Sequence, residues 1–354
     1  MTSVGARARR SWLKRLREGR WSPVEGAVLI SAITIAAGSL FVTTYSLALG
    51  DPMPQRISAA LIGSTSYSPA TVAEVQEVAA HRLELRPYRS LGSALHAIDE
   101  QNVYAALDLT ATTPTLYVAS AAGASVARVL EKIYARDPSV RVIDAHPLNG
   151  RDPSGLDVFY LMLVTTIVGF TTVFQVRAYD ASLAQRHHFA FVLSLAVAGS
   201  LALTVVDGPL LDRPSAMFLE EWAILAVHLL AVASFTSLMT VLIERWAILP
   251  TWLFFIVLGN TSSGGAVSPA LLPVPFAFLS RWLPSGAAVA SLRDAIYFRS
   301  YQHVLPLAVL ALWGFGLFAA WLLVAHGRQA YDRLTPPAGP NSQPAATVSN
   351  RLGW

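Results

Sequence analysis

Of 354 residues, 54% are hydrophobic and only 14% are charged; there is no cysteine, and the formal net charge is +4. A soluble domain carries about 25% charge, so most of this chain has the composition of protein solvated by lipid. The missing cysteine excludes disulfides, thiolate nucleophiles, zinc–cysteine sites and iron–sulfur clusters, and so small a net charge leaves no footprint for nucleic acid.

The chain opens on a basic segment, residues 1–23. Arg7, Arg9, Arg10, Lys14, Arg15, Arg17 and Arg20 stand against the single Glu18. Trp12, Leu13 and Leu16 share one helical face there, the pattern of a short helix lying in the headgroup plane. It reads equally as a lever along the inner leaflet and as a simple orientation anchor. Residues 24–49 form the first apolar run. A bilayer core about 30 Å thick needs about 20 apolar residues in helix, which this run supplies. It exceeds the roughly 7–15 apolar residues of a signal peptide and no small-x-small cleavage site follows, so an uncleaved anchor is expected.

Residues 50–155 change pattern to short alternating elements. Strands are predicted at Ile57–Ile62 and Leu83–Tyr88, with a helix at Pro69–His81 between them. Ser90 caps a predicted helix over Leu91–Asn102. Val103–Leu109 and Thr115–Ser120 read as a hairpin, Ser125–Arg136 as a third helix and Val140–Ala145 as a last strand. The sum is a small α/β domain of one core. His81, His96 and His146 are scattered along it and are expected as surface side chains, because no ligand spacing joins them. Asp99, Glu100 and Asp108 read as ordinary helix and loop charges.

Five further apolar segments follow within 156–327, centred near Val164, Leu201, Ala231, Phe255 and Ala311. The fold class is therefore a polytopic α-helical membrane protein: six transmembrane helices, with the α/β domain inserted between the first and second. Short basic flanks stay cytoplasmic, which places the N-terminus inside and the insert outside. The loop after the second span carries Arg177, Asp180, Arg186, His187 and His188. The loop after the third carries Asp207, Asp212, Glu220 and Glu221 against Arg213. Glu244 and Arg245 mark the next turn, and Arg328, Arg333 and Arg351 lie beyond the last span. Six spans with both termini cytoplasmic in a cell membrane fit this distribution. The tail, residues 328–354, turns rich in Pro, Ser, Asn and Ala from Thr335 and is expected to be disordered.

Inside the spans, His228 is the clearest polar side chain and is expected to bond a neighbouring helix. Asp157 and Gln175 fall at span ends, where polar groups cost little. No phosphate loop, nucleophile elbow or His-Glu-x-x-His motif occurs, so no catalytic, cofactor or metal residues are expected and the chain reads as a non-enzyme. Proton relays need ionisable groups buried within spans, and their scarcity disfavours a proton-coupled transporter.

The densest signal follows the fifth apolar segment. Gly259, Asn260, Thr261, Ser262, Ser263, Gly264 and Gly265 interrupt it, followed by Ser268-Pro269, Pro273, Pro275 and Pro284. Irregular backbone at membrane depth survives only where protein or water covers it. The helix therefore either ends in an outer loop or breaks and re-enters, with short helices at the outer leaflet across 259–300, before a last span beginning near His303.

These stretches carry a resemblance. Gly259-Asn260 with Ser263-Gly264-Gly265 and Pro269, then Phe276–Pro284 and Leu292-Arg293, resemble the broken fifth span and following segment of the type-2 ABC exporter membrane subunits, YhgE/Pip-like branch. Ile57–Ile62 and Val103–Leu109 match strands of that branch in position. The turn Gly63-Ser64-Thr65-Ser66 departs from the branch's Asn-x-Asp pattern. The layout is similar over about residues 20–327. The resemblance implies a permease subunit that forms a homodimer or heterodimer and is energised by a separate cytoplasmic ATPase. It implies a coupling loop at Arg177, Asp180, Arg186, His187 and His188, and an inner-leaflet connector at Trp12, Leu13 and Leu16. It also implies an exit or re-entrant segment with Asn260, Gly264, Gly265, Pro269, Pro273, Pro284 and Arg293, and a lipid, drug, polyketide or surface-polymer precursor as substrate. The alternative is a non-transporting scaffold or receptor whose exported domain binds a partner.

Overall fold

The computed structural model describes residues 22–50, 57–63, 83–110, 113–134, 140–180 and 183–334. The expected helix Pro69–His81, with His81, lies outside them. So do Trp12, Leu13 and Leu16 and the tail from Thr335.

Ser22 starts the first helix. Its hydroxyl accepts from the Glu25 amide while the Glu25 carboxylate accepts from the Ser22 amide, with Pro23 in the first turn. From there α1 runs Pro23–Leu49. None of its most apolar window is buried by protein; a helix apolar all round and uncovered along most of its length calls for lipid as its solvent. Only its C-terminal end is engaged: Phe41 stacks on Tyr45 at 4.0 Å and lies 6.0 Å from Trp252, and Ala48 is buried.

The next elements build one five-stranded sheet of order β2-β1-β3-β4-β5. The strands are β1 Ile57–Ile62, β2 Leu83–Tyr88, β3 Ala105–Asp108, β4 Thr115–Val118 and β5 Arg141–Asp144. Central β1 runs parallel to β2 and β3, β3 pairs antiparallel with β4, and β4 pairs parallel with β5. Alternate residues of β1 serve opposite faces, as the strand period of two requires. Ile57, Ala59 and Leu61 join the core under α3 (Ala124–Tyr134); Ala60 and Ile62 join the core under α2 (Leu91–Asp99). The edge strand β2 carries Arg86 and Pro87, residues an edge tolerates. The predicted strands 57–62 and 83–88 keep their bounds. The predicted helix over Leu91–Asn102 stops at Asp99, because Gln101 turns left-handed at φ 53°.

Beyond the sheet lie α4 Asp157–Tyr179, α5 Gln185–Leu210, α6 Ser215–Ile243 and α7 Ile248–Gly259. They are followed by α8 Val274–Trp282, α9 Pro284–Tyr297 and α10 Val304–Leu334. Helix α6 is central, with 72% of its apolar window buried. Glycines let its neighbours close in: a Cβ on Gly169 of α4 would lie 2.8 Å from Val232, and one on Gly314 of α10 would lie 2.7 Å from Val227.

Among the described residues, five helices are long and apolar enough to cross a membrane, not the six expected. The exception is α7, four α-helical residues followed by eight π-helical ones. At ~1.5 Å per residue it reaches roughly 18 Å against a hydrocarbon core of about 30 Å. It packs closely on α9, where a Cβ on Gly259 would lie 2.6 Å from the Ser285 hydroxyl.

Candidate functional site

The break after α7 is where backbone irregularity, unpaired polar groups and contacts between the two cores coincide. Gly264 takes φ +74°, and a Cβ there would lie 2.9 Å from Pro269. A Cβ on Gly265 would lie 2.7 Å from the Cβ of Phe159 on α4. Only glycine allows both the turn and the approach. Pro269 opens a short 3-10 turn, Pro273 precedes the first turn of α8, and Pro284 is the first residue of α9. The prolines thus set where each short helix begins. Two short helices, Val274–Trp282 and Pro284–Tyr297, occupy the stretch where short helices were expected.

Around this turn the protein is buried but polar. Asn260 Oδ1 and the hydroxyls of Ser262, Ser268, Ser285 and Ser291 are buried without a hydrogen-bond partner. Each such group, left without a water or ligand, costs about 1–3 kcal/mol, which makes this stretch the candidate site.

Helix α9 ties the break to both cores. Arg293 donates to the Gly264 carbonyl at 3.0 Å. Its neighbour Asp294 is buried and accepts from Gln101 of the sheet domain at 2.6 Å, and from the His303 amide at 2.9 Å. Leu292 and Ala295 belong to the helical core, whereas Phe298 belongs to the sheet core and Tyr297 packs against both. From the other side Leu271 enters the sheet core, and the Ser268 amide donates to the Ser125 hydroxyl at 2.9 Å. Asn260, Gly264, Gly265, Pro269 and Arg293 therefore occupy one junction.

The second set of expected residues lies elsewhere. Arg177 is in the last turn of α4, and Asp180 follows as its cap. The connecting loop is shorter than the expected span of 177–188, because α5 begins at Gln185. Arg186 and His187 are exposed in its first turn. His188 departs from the expected loop surface: it is 1% exposed, its ring 4.9 Å from Trp321 edge to face and its Nε2 3.4 Å from the Ser237 hydroxyl. One turn of helix points it inward to the bundle core.

Sequence reasoning missed a buried ionic cluster. Arg213, 4% exposed at its side chain, pairs with Asp207 at 2.8 Å, with Glu221 at 2.6 Å and with Asp157. The apparently solvated acidic loop is therefore a closed knot joining α4, α5 and α6. Arg213 standing alone among acids was the available signal. A pair between His146 Nε2 and Asp99 Oδ1 at 2.5 Å was also missed, the two being 47 positions apart. The expectation for His228 holds: fully buried, it bonds Thr165 of α4 through Nδ1 at 2.9 Å.

Among the described residues no group of three or more His, Cys, Asp or Glu is arranged to hold a metal ion. The chain matches no family model and no curated protein.

Proposed function

We propose that this chain is the membrane permease subunit of an ABC-type exporter for a hydrophobic or amphipathic substrate, energised by a separate ATPase. The observation that carries the reading is the double membership of the segment after α7. Through Leu271 and Phe298 it belongs to the sheet core, and through Leu292 and Ala295 to the helical core. Movement of the helices is thereby transmitted to the sheet domain, which an anchor would not need. The resemblance of the broken segment to type-2 exporter subunits supports the same reading. In it the protein sits multi-pass in the cell membrane with both termini cytoplasmic and the sheet domain outside. Helix α7 and the α8–α9 hairpin together take the place of the sixth crossing, and Arg177, Asp180, Arg186 and His187 face the ATPase.

The test is purification of the tagged full-length protein from its native membranes in mild detergent, with mass spectrometry of co-purifying proteins. A stoichiometric ATPase that is lost when residues 177–187 are replaced by a neutral Gly/Ser linker supports the proposal. Recovery of self-copies alone, or of partners held through residues 50–155, would replace it with the scaffold reading.

A further inference from the structure

A cavity of about 250 Å³ opens between the α8–α9 hairpin and the start of α10. Its polar wall is basic: Arg281 at the end of α8, Arg293 on α9 and His303 before α10. Ser263 and Ser280 also line it, beside apolar residues among them Ala287, Ala290 and Leu305.

Among the described residues neither guanidinium group forms a direct ion pair: neither Arg281 nor Arg293 has a carboxylate within ion-pair distance, whereas His303 of the same wall lies 3.2 Å from Asp294. Arg293 uses one of its five N–H donors on the Gly264 carbonyl. Arg281 lies 5.6 Å from the ring centre of Trp282. The one acid adjoining the cavity is Asp294, and it is already occupied: Oδ1 accepts from Gln101, and Oδ2 from the His303 amide, with the His303 ring at 3.2 Å. A part-buried arginine without an anion is costly, and guanidinium geometry matches phosphate oxygens through paired N–H donors.

Near the cavity along the same helices, Phe278 of α8 is 64% exposed and Val304 of α10 is 79% exposed. Trp282 and Trp313 bracket this region, the Trp313 indole donating to the Trp282 carbonyl at 2.7 Å, as aromatic side chains do at a membrane boundary. A cavity with two arginines in its wall and exposed apolar side chains beside it fits a molecule with an anionic head and a hydrocarbon body.

We propose that this cavity is a binding site for the phosphate group of an anionic amphiphile, with Arg281 and Arg293 holding the phosphate oxygens and the apolar chain leaving along α8 and α10. The site stands without the export reading, because binding requires neither transport nor an ATPase.

The experiment is native mass spectrometry of the full-length protein in detergent, titrated with dioleoyl phosphatidylglycerol, dioleoyl phosphatidylcholine or inorganic phosphate. Wild type is expected to retain phosphatidylglycerol about tenfold better than phosphatidylcholine, the scale of one or two lost charged hydrogen bonds. Arg281→Gln, whose side chain is exposed, should fold normally and lose most of that preference. Ala290→Phe should fill the cavity and lower retention without changing charge. Arg293→Gln is expected to behave like Arg281→Gln. Inorganic phosphate that binds alone and displaces phosphatidylglycerol, with the same dependence on Arg281, would support the anion site and make a soluble phosphate its source. Equal retention of both lipids by wild type, or unchanged phosphatidylglycerol retention in both Arg281→Gln and Ala290→Phe, would overturn the proposal.

Discussion

Replacing Arg213 by Met tests the ionic knot most severely. The substitution keeps the length of the side chain's apolar stem and removes the cation. Its side chain is 4% exposed, and Asp207, Asp157 and Glu221 are 11%, 12% and 2% exposed at theirs. Three carboxylates would then share a site that water scarcely enters. Removing one partner of a buried ion pair costs about 3–5 kcal/mol, most of it the penalty of the stranded charge. At about 2 °C per kcal/mol for a chain of this size, the apparent melting midpoint should fall by roughly 6–10 °C. Tryptophan fluorescence of the detergent-solubilised protein during a thermal ramp reads this at fixed scan rate, since unfolding of such proteins is commonly irreversible. A second variant isolates the cause. Adding Glu221→Gln to Arg213→Met removes one stranded charge while keeping the shape, so part of the loss should return. A midpoint within about 1 °C of wild type for Arg213→Met would refute the reasoning, as would a double variant less stable than the single.

Three further outcomes follow from the contacts. Gly265→Ala should destabilise by about 1–3 kcal/mol, because its Cβ would meet Phe159 beside the backbone at 2.7 Å, where little can yield. Gly264→Ala adds the left-handed penalty of about 1–2 kcal/mol; for both, and for the bulkier Leu variants, membrane insertion by carbonate extraction should be unchanged while the melting midpoint falls. Gln101→Leu removes the 2.6 Å bond to Asp294, worth about 1.5–3 kcal/mol to a charged acceptor, and should speed amide hydrogen exchange in α9; unaltered protection there would show that the bond does not hold the domains together. Thr165→Val strands the buried His228 imidazole and should cost about 1–3 kcal/mol, read as a lower midpoint that His228→Leu in the same background partly restores.

Much of the architecture was legible because it is written locally. The alternation Ile57-Ser58-Ala59-Ala60-Leu61-Ile62, almost wholly apolar, marks a central strand buried on both faces. Ser90 announces the helix it caps. Gly264 and Pro269 could be read as a break because a left-handed turn and a ring without an N–H are properties of single residues. The helix count failed for a related reason. Hydropathy around Phe255 measures apolarity, not length, and regular helix gives way to irregular turn from Ser262 onward.

What escaped the sequence depends on partners far along the chain. Asp157 at a span end looks inexpensive in isolation, and Glu221 looks solvated beside Glu220. Their burial follows only once α4, α5 and α6 converge on Arg213. The contrast between Glu220 and Glu221 carries the physical point. Successive positions on a helix are about 100° apart, so one carboxylate turns into the knot while its neighbour meets Arg299 and Gln302 at the rim. Charge counting along the loop treats the two alike, and it therefore does not reveal that the same loop locks three helices together. His188 repeats the case: it reads as loop beside Arg186 and His187, yet the helix starting at Gln185 rotates it against Trp321. In the proposed permease the coupling surface would draw on Arg177, Asp180, Arg186 and His187, while His188 packs against Trp321 in the helix core.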